Sequence, residues 1–220
     1  MPLGDFDIVQ ITSQVTVSFW RYYPQPESHP GFTSADLSRL LRRLHAIPAP
    51  PVSLAKFRPL TSLVDALSDD TADVLSKDDR QWITEQVAIV TQRLTNRDWD
   101  LGAGLVHGDA WAGNLLVSPR GAGLGDWDRV AHGPREIDLI PTWHAAHRYG
   151  RGTDWINRFV DIYGYDLRDS PAFDDLLRMR DLAQLPGPLR RAPHSPRHAA
   201  ALRQRLAGLR AGNTGQWIAL

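Results

Sequence analysis

Apolar positions change their spacing along the chain, and each change marks an element. Ile8–Gln10 and Val15–Trp20 (VTVSFW) are rich in β-branched and aromatic residues, which predicts two short strands closed by Tyr23-Pro24-Gln25-Pro26. After a loop over residues 28–32, Thr33 reads as an N-cap with Asp36 three residues on. Leu37, Leu40, Leu41 and Leu44 then recur at helical spacing until Pro48-Ala49-Pro50-Pro51 ends the pattern. A second long helix follows Ser76–Asp79, with Ile83, Val87, Val90 and Leu94 on one face. From Gly102 the pattern shortens to apolar segments interrupted by glycine: 104–107, 115–117 and 124–127. Ser118-Pro119-Arg120-Gly121 is a turn sequence, so the last two segments are expected to pair as a hairpin. Beyond Pro134 helical spacing returns over 137–149, 153–163, 171–182 and 198–209, with Pro186, Pro188, Pro193 and Pro196 breaking the last link. Strands, helices, a small β insert and helices again predict an α+β fold.

Composition narrows the class. Lys+Arg 25 against Asp+Glu 25 leaves no net charge, which argues against a nucleic-acid binder, because phosphate contacts need an excess of cations. No cysteine is present, so disulfides, thiolate metal sites and a cysteine nucleophile are excluded. No apolar run approaches the roughly 18 residues of a membrane span, and Asp5 and Asp7 stand where a signal peptide would be cationic and then apolar. These features predict a soluble, cytoplasmic protein. Residues 182–220 carry six arginines and no acid, read as a solvated helix face that pairs with acidic neighbours.

The stretch from Leu105 to Leu139 holds the chemistry. In His107-Gly108-Asp109 the aspartate precedes Asn114 by five residues, and Asp126 follows at the end of the hairpin's second strand. H-x-D-x-x-x-x-N with a later aspartate is the spacing of a kinase catalytic loop. A nucleotide triphosphate brings negative charge that Mg²⁺ neutralises, and Mg²⁺ takes hard oxygen ligands such as a carboxamide and a carboxylate. A third group must stay free of metal, face the acceptor hydroxyl and accept its proton. Asn114 and Asp126 suit the first role and Asp109 the second.

HGDAWAGN, GDWD and the following GPREIDL together resemble the aminoglycoside phosphotransferase family, a branch of the protein-kinase-like fold. The leucine helix ending LLRRLHAIPAP resembles the family too, and the likeness runs over roughly residues 15–210. The resemblance implies a helical C-terminal lobe over residues 24–220 that carries the catalytic loop (105–139) and a small catalytic β-hairpin. It implies ATP and Mg²⁺ as cofactors, a small-molecule hydroxyl as acceptor, Asp109 as the catalytic aspartate, and Asn114 and Asp126 as metal ligands. Phe19-Trp20-Arg21-Tyr22-Tyr23 is similar to the hinge, so Trp20, Arg21 and Tyr22 would meet the adenine edge through their backbone. Asp138 matches an aspartate that buttresses the loop.

The sequence also departs from that family. Only about fifteen residues precede the hinge-like segment, with one glycine (Gly4) and no lysine; Lys56 and Lys77 both follow it. Residues 1–23 are therefore expected to be a remnant of the N-lobe, truncated to one or two strands, and turnover by this chain is expected to be weak. Two other readings stay open: a non-catalytic kinase-like remnant or binding module, and a metal-dependent hydrolase using Asp109, Asp126 and Asp128. His107 is expected to pack in the loop, and His144 and His147 to be ordinary helix histidines. Asp154, Asp161, Asp166, Asp169, Asp174 and Asp175 are expected to lie on a mixed solvated face. The acceptor's identity and the oligomeric state are not encoded in any motif.

Overall fold

The computed structural model describes residues 9–13, 15–17, 19, 22–48, 50, 52–69, 74–213 and 215–220. A two-residue ladder, β1 (Val9–Gln10) with β2 (Thr16–Val17), precedes the helices α1 (Ser34–His45), α2 (Thr61–Ser68) and α3 (Lys77–Thr95). Four short strands follow: β3 (Ala103–Val106), β4 (Leu115–Ser118), β5 (Gly121–Leu124) and β6 (Ala131–Pro134). Five helices complete the chain: α4 (Glu136–Arg148), α5 (Thr153–Tyr163), α6 (Phe173–Ala183), α7 (Pro186–Arg191) and α8 (Pro196–Arg210). Among the described residues no helix is long and apolar enough to cross a membrane.

The cap read from sequence at Thr33 forms. Thr33 Oγ1 accepts from the Asp36 amide while Asp36 Oδ2 accepts from the Thr33 amide, a reciprocal box that satisfies two orphan donors of α1. Leu37, Leu41 and Leu44 are buried, and α1 lies along α5, where Ser38 Oγ donates to the Phe159 carbonyl (2.8 Å) inside the core. Ser76 caps α3, whose buried stripe of Ile83, Val90 and Leu94 faces α6.

Three features differ from the sequence reading. α2 carries no side-chain cap, begins after Leu60 at φ +63° and has only eight residues, so its periodic signal is too short to register. The hairpin's second strand is Gly121–Leu124 and not 124–127, because the chain turns sharply at Asp126. The proline-broken link near 186–196 holds a further helix, α7, since Pro186 stands in its first turn, where a missing N–H costs nothing.

The arginine-rich end pairs only in part with acids. Arg190 meets Asp69 and Arg210 meets Asp79, whereas Arg205 is buried and donates to the carbonyls of Gln184 (2.7 Å) and Ile218 (3.3 Å). Asp175 is likewise buried, between Arg93 and Arg97 of the α3 end, and does not belong to a solvated face.

The α4–α6 contact holds a charged core. Arg148 grips Asp181 through two hydrogen bonds (2.8 and 2.6 Å), and Trp217 from the C-terminal segment lies 5.2 Å from the Arg148 guanidinium and 4.8 Å from that of Arg205. His144 Nε2 sits 3.3 Å from Asp181 Oδ1, but off the hydrogen-bonding direction. Burial dominates, and the imidazole is pushed down from 6.5 to about 4. Burial also acts to raise Asp181, but the two hydrogen bonds from Arg148, helped by the nearness of His144, outweigh it and hold this carboxyl below its ordinary range.

This burial predicts a pH dependence. The unfolded chain takes up a proton at residue 144 as pH falls through about 6.5, while the folded chain refuses it until about 4. Stability is therefore expected to fall by roughly 3 kcal/mol between pH 6.5 and pH 4. Urea denaturation across that window measures it, and His144→Gln is expected to flatten the decline.

Candidate active site

Two antiparallel ribbons frame the site. β3 pairs with β6, from Ala103 opposite Pro134 to Val106 opposite Ala131, and β4 pairs with β5. The β3–β6 pairing was not legible in sequence: residues 107–130 lie between the strands, and neither alternates. Gly133 fits there because a Cβ would lie 2.6 Å from that of Phe57.

The loop leaving β3 is held by one buried carboxylate. Asp138, in the first turn of α4, is wholly buried; its Oδ2 accepts from the His107 amide (2.7 Å) and its Oδ1 from the Gly108 amide (2.8 Å). His45 Nε2 lies 3.1 Å from Oδ2, and His45 Nδ1 is 2.7 Å from the Tyr163 hydroxyl. An anion at a helix N-terminus is favoured by the macrodipole, and three donors offset its loss of water. Gly108 sits at φ +82°, and a Cβ there would stand 2.3 Å from the Arg129 carbonyl oxygen, so only glycine makes this turn.

His107 pins the loop to the hairpin. Its Nε2 meets the Gly125 carbonyl at 2.8 Å, its Nδ1 accepts from the Asp109 amide at 3.3 Å, and its ring packs on Trp127 with centroids 4.7 Å apart. Those partners select the Nε2–H tautomer. It is the packed loop histidine expected from sequence.

Asp109 and Asn114 belong to one hydrogen-bonded unit. A 3₁₀ turn over Ala112–Asn114 brings Asn114 back so that its Nδ2 donates to the Asp109 carbonyl (2.9 Å). With the amide nitrogen occupied, Oδ1 remains as an acceptor. The Gly125 amide donates to the Asn114 carbonyl (2.8 Å), extending the β4–β5 ladder one rung beyond Leu115 opposite Leu124. Asp126 therefore leaves the hairpin next to Asn114. It is exposed and holds φ +59°, a left-handed conformation that aspartate tolerates better than most residues but that still costs energy. Strain of this kind accumulates where function requires a particular side-chain direction.

A residue that sequence reasoning missed completes the cluster. Arg180 of α6 donates through Nη1 to Asp109 Oδ1 at 2.6 Å, with only 12% of the arginine side chain and 27% of the aspartate side chain exposed. The two stand 71 positions apart in the chain, and no local pattern joins them. Asp109 Oδ2 takes no hydrogen bond among the described residues.

Of the hinge-like residues, Trp20 and Arg21 lie outside the described residues, and Tyr22 is exposed. The segment just beyond them is tied to the hairpin: Gln25 donates to the Val117 carbonyl (3.2 Å) and accepts from its amide (2.8 Å), mimicking a strand partner. The three-aspartate metal cluster does not assemble. Asp109 is held by Arg180, Asp128 is exposed, and among the described residues no group of three His, Cys, Asp or Glu side chains is placed to hold a metal.

This arrangement of loop, buttress and hairpin has relatives. A sequence model of the phosphotransferase enzyme family, APH, matches residues 16–182, and the chain belongs to that family. No curated protein matches it. Among solved structures, an amicoumacin kinase in complex with AMP-PNP and Ca²⁺ superposes with a TM-score of 0.62 at 14% identity, over 86% of this chain and 64% of that one. A microcompartment-associated aminopropanol kinase gives 0.61 at 17% identity, over 92% and 69%. A choline/ethanolamine kinase family protein from Mesorhizobium loti gives 0.56 at 18% identity, over 81% and 60%. These likenesses establish a kinase-like fold, represented chiefly by its helical lobe. The chain spans less than two-thirds of the length of the amicoumacin and choline/ethanolamine kinase structures.

Proposed function

We propose that this chain supports ATP-dependent phosphoryl transfer to a hydroxyl group of a small molecule. The observation that carries the reading is the single hydrogen-bonded unit that joins Asp109, Asn114 and the turn bearing Asp126, anchored on buried Asp138. Residues 24–220 form the helical lobe in this reading, and residues 1–23 belong to the nucleotide-covering lobe and hinge, with Trp20, Arg21 and Tyr22 at the adenine edge. The protein acts as a cytoplasmic enzyme.

The donor set fits a hard cation. Asn114 offers a carboxamide oxygen whose amide nitrogen is already engaged, and Asp126 offers an exposed carboxylate. These two would hold Mg²⁺, which supplies charge neutralisation to the nucleotide's phosphates. Asp109 works from the other side. Its Oδ2 orients the acceptor hydroxyl and takes its proton as the new oxygen–phosphorus bond forms and the bond to the leaving ADP breaks. Oδ1, fixed by Arg180, keeps the carboxylate from rotating away.

Calorimetry with AMP-PNP tests the reading without an acceptor. Binding is expected with Mg²⁺ and is expected to weaken at least about tenfold with EDTA or in Asp126→Ala. Binding that ignores the metal would overturn the assignment of Asn114 and Asp126. Metal-dependent binding with no transfer to any hydroxyl compound would identify a binding module.

A further inference from the structure

We propose that Trp111 is the platform on which the acceptor packs, and that the acceptor presents a flat ring face, aryl or saccharide, beside its reactive hydroxyl. The inference rests on the phosphotransferase reading of Asp109 and extends it to the substrate class.

Trp111 stands apart from the other tryptophans. Among the described residues Trp143 and Trp217 are buried, Trp82, Trp99 and Trp127 pack against the core, and the Arg151 guanidinium covers Trp155. Trp111 is 47% exposed. No ring or guanidinium packs on it, and its indole N–H meets no oxygen among the described residues. Leaving so large an apolar surface in water forgoes the gain that burial gives its counterparts.

The indole is nonetheless held in place. The backbone at Trp111 is extended (φ −142°, ψ 163°) and follows Ala110, which is wholly buried, so the next side chain is thrown outward. Its six-membered ring rests on Gly113, where a Cβ would collide with three ring carbons. The Asn114 amide donates to the Trp111 carbonyl (3.0 Å), which anchors the residue in the turn that brings Asn114 back to Asp109. A side chain fixed beforehand loses little freedom when a ligand packs on it.

Position ties this surface to the reaction. Two residues span at most about 7 Å, so the Trp111 backbone lies within that distance of Asp109. A molecule whose hydroxyl reaches Asp109 Oδ2 passes within reach of the exposed indole. A ring laid on it removes apolar surface of both partners from water, and stacking on an aromatic side chain changes affinity by roughly five- to 150-fold. A short open-chain alcohol covers little of the indole and gains little from it.

The test uses the 220-residue chain with Mg-AMP-PNP and follows the indole N–H signals of its eight tryptophans by NMR. The signal absent from Trp111→Phe is that of Trp111. Benzyl alcohol and methyl β-glucoside are the ring probes and propane-1,3-diol the open-chain one; choline is the cationic control, because cations also pack on indoles. A ring probe is expected to shift the Trp111 signal and to bind at least about fivefold more tightly than the diol or choline. Trp111→Ala is expected to erase that preference and Trp111→Phe to keep most of it, with Mg-AMP-PNP affinity alike in all three proteins. A merely structural tryptophan would not move the ranking of the probes. Tighter binding of only one ring probe tells aryl from saccharide and supports the proposal equally. Ring probes that bind no more tightly than the diol overturn it, as does choline binding tightest or a preference that survives in Trp111→Ala. Should Trp111→Ala not fold, the ranking on the unaltered chain and the shift of the Trp111 signal still decide. Failure of the phosphotransferase reading shows separately, as absent Mg-AMP-PNP binding by the unaltered chain.

Discussion

Asp109→Asn is expected to slow phosphoryl transfer by about 10²–10⁴-fold while Mg-AMP-PNP binding stays unchanged. The amide retains the shape of the carboxylate and still offers an oxygen to Arg180, so the loop keeps its place. What disappears is the negative charge that draws the acceptor hydroxyl into line and receives its proton. A coupled ADP assay, run beside calorimetry on the same preparation, separates lost chemistry from lost nucleotide binding. Unchanged turnover in Asp109→Asn would move the catalytic role elsewhere.

Asp138→Ala is expected to cost about 3–5 kcal/mol of stability, a fall in Tm of roughly 6–20 °C for a chain of this size. The reason is the number of donors left behind. The His107 and Gly108 amides both point at this carboxylate from buried or half-buried positions, and His45 approaches the same group. Alanine strands all three at a wholly buried site, away from bulk water. Asp138→Asn keeps one acceptor oxygen, so about half the loss is expected. Thermal denaturation of the two variants checks the ranking; equal stability of both with the parent would show that the loop is held by other means.

These two aspartates were unequal in what the sequence disclosed. Asp109 stood in a dense local signature with Asn114 five residues away and Asp126 beyond a recognisable turn. Their proximity follows from a 3₁₀ turn and a hairpin, both short-range structures written in adjacent residues. Asp138 carried a likeness to a buttressing residue, but its partners became visible only when α4 was laid beneath the loop. Arg180 carried no signal, because it reaches Asp109 across the packed interior from a helix whose pattern is an ordinary amphipathic one.

By itself the sequence determined the helical register of α1 and α3, the approximate extents of α5 and α8, the cap at Thr33, the hairpin turn at Ser118–Gly121 and the spacing of the chemical residues. Each of these depends on interactions within a few positions, where side-chain identity and backbone geometry are coupled directly. Tertiary structure alone decided the pairing of β3 with β6, the burial of Asp138, the lowered basicity of His144 and the meeting of Arg180 with Asp109. All four arise from groups far apart in the chain that are desolvated together, and the energy of a charge depends on what surrounds it after folding rather than on what precedes it in sequence.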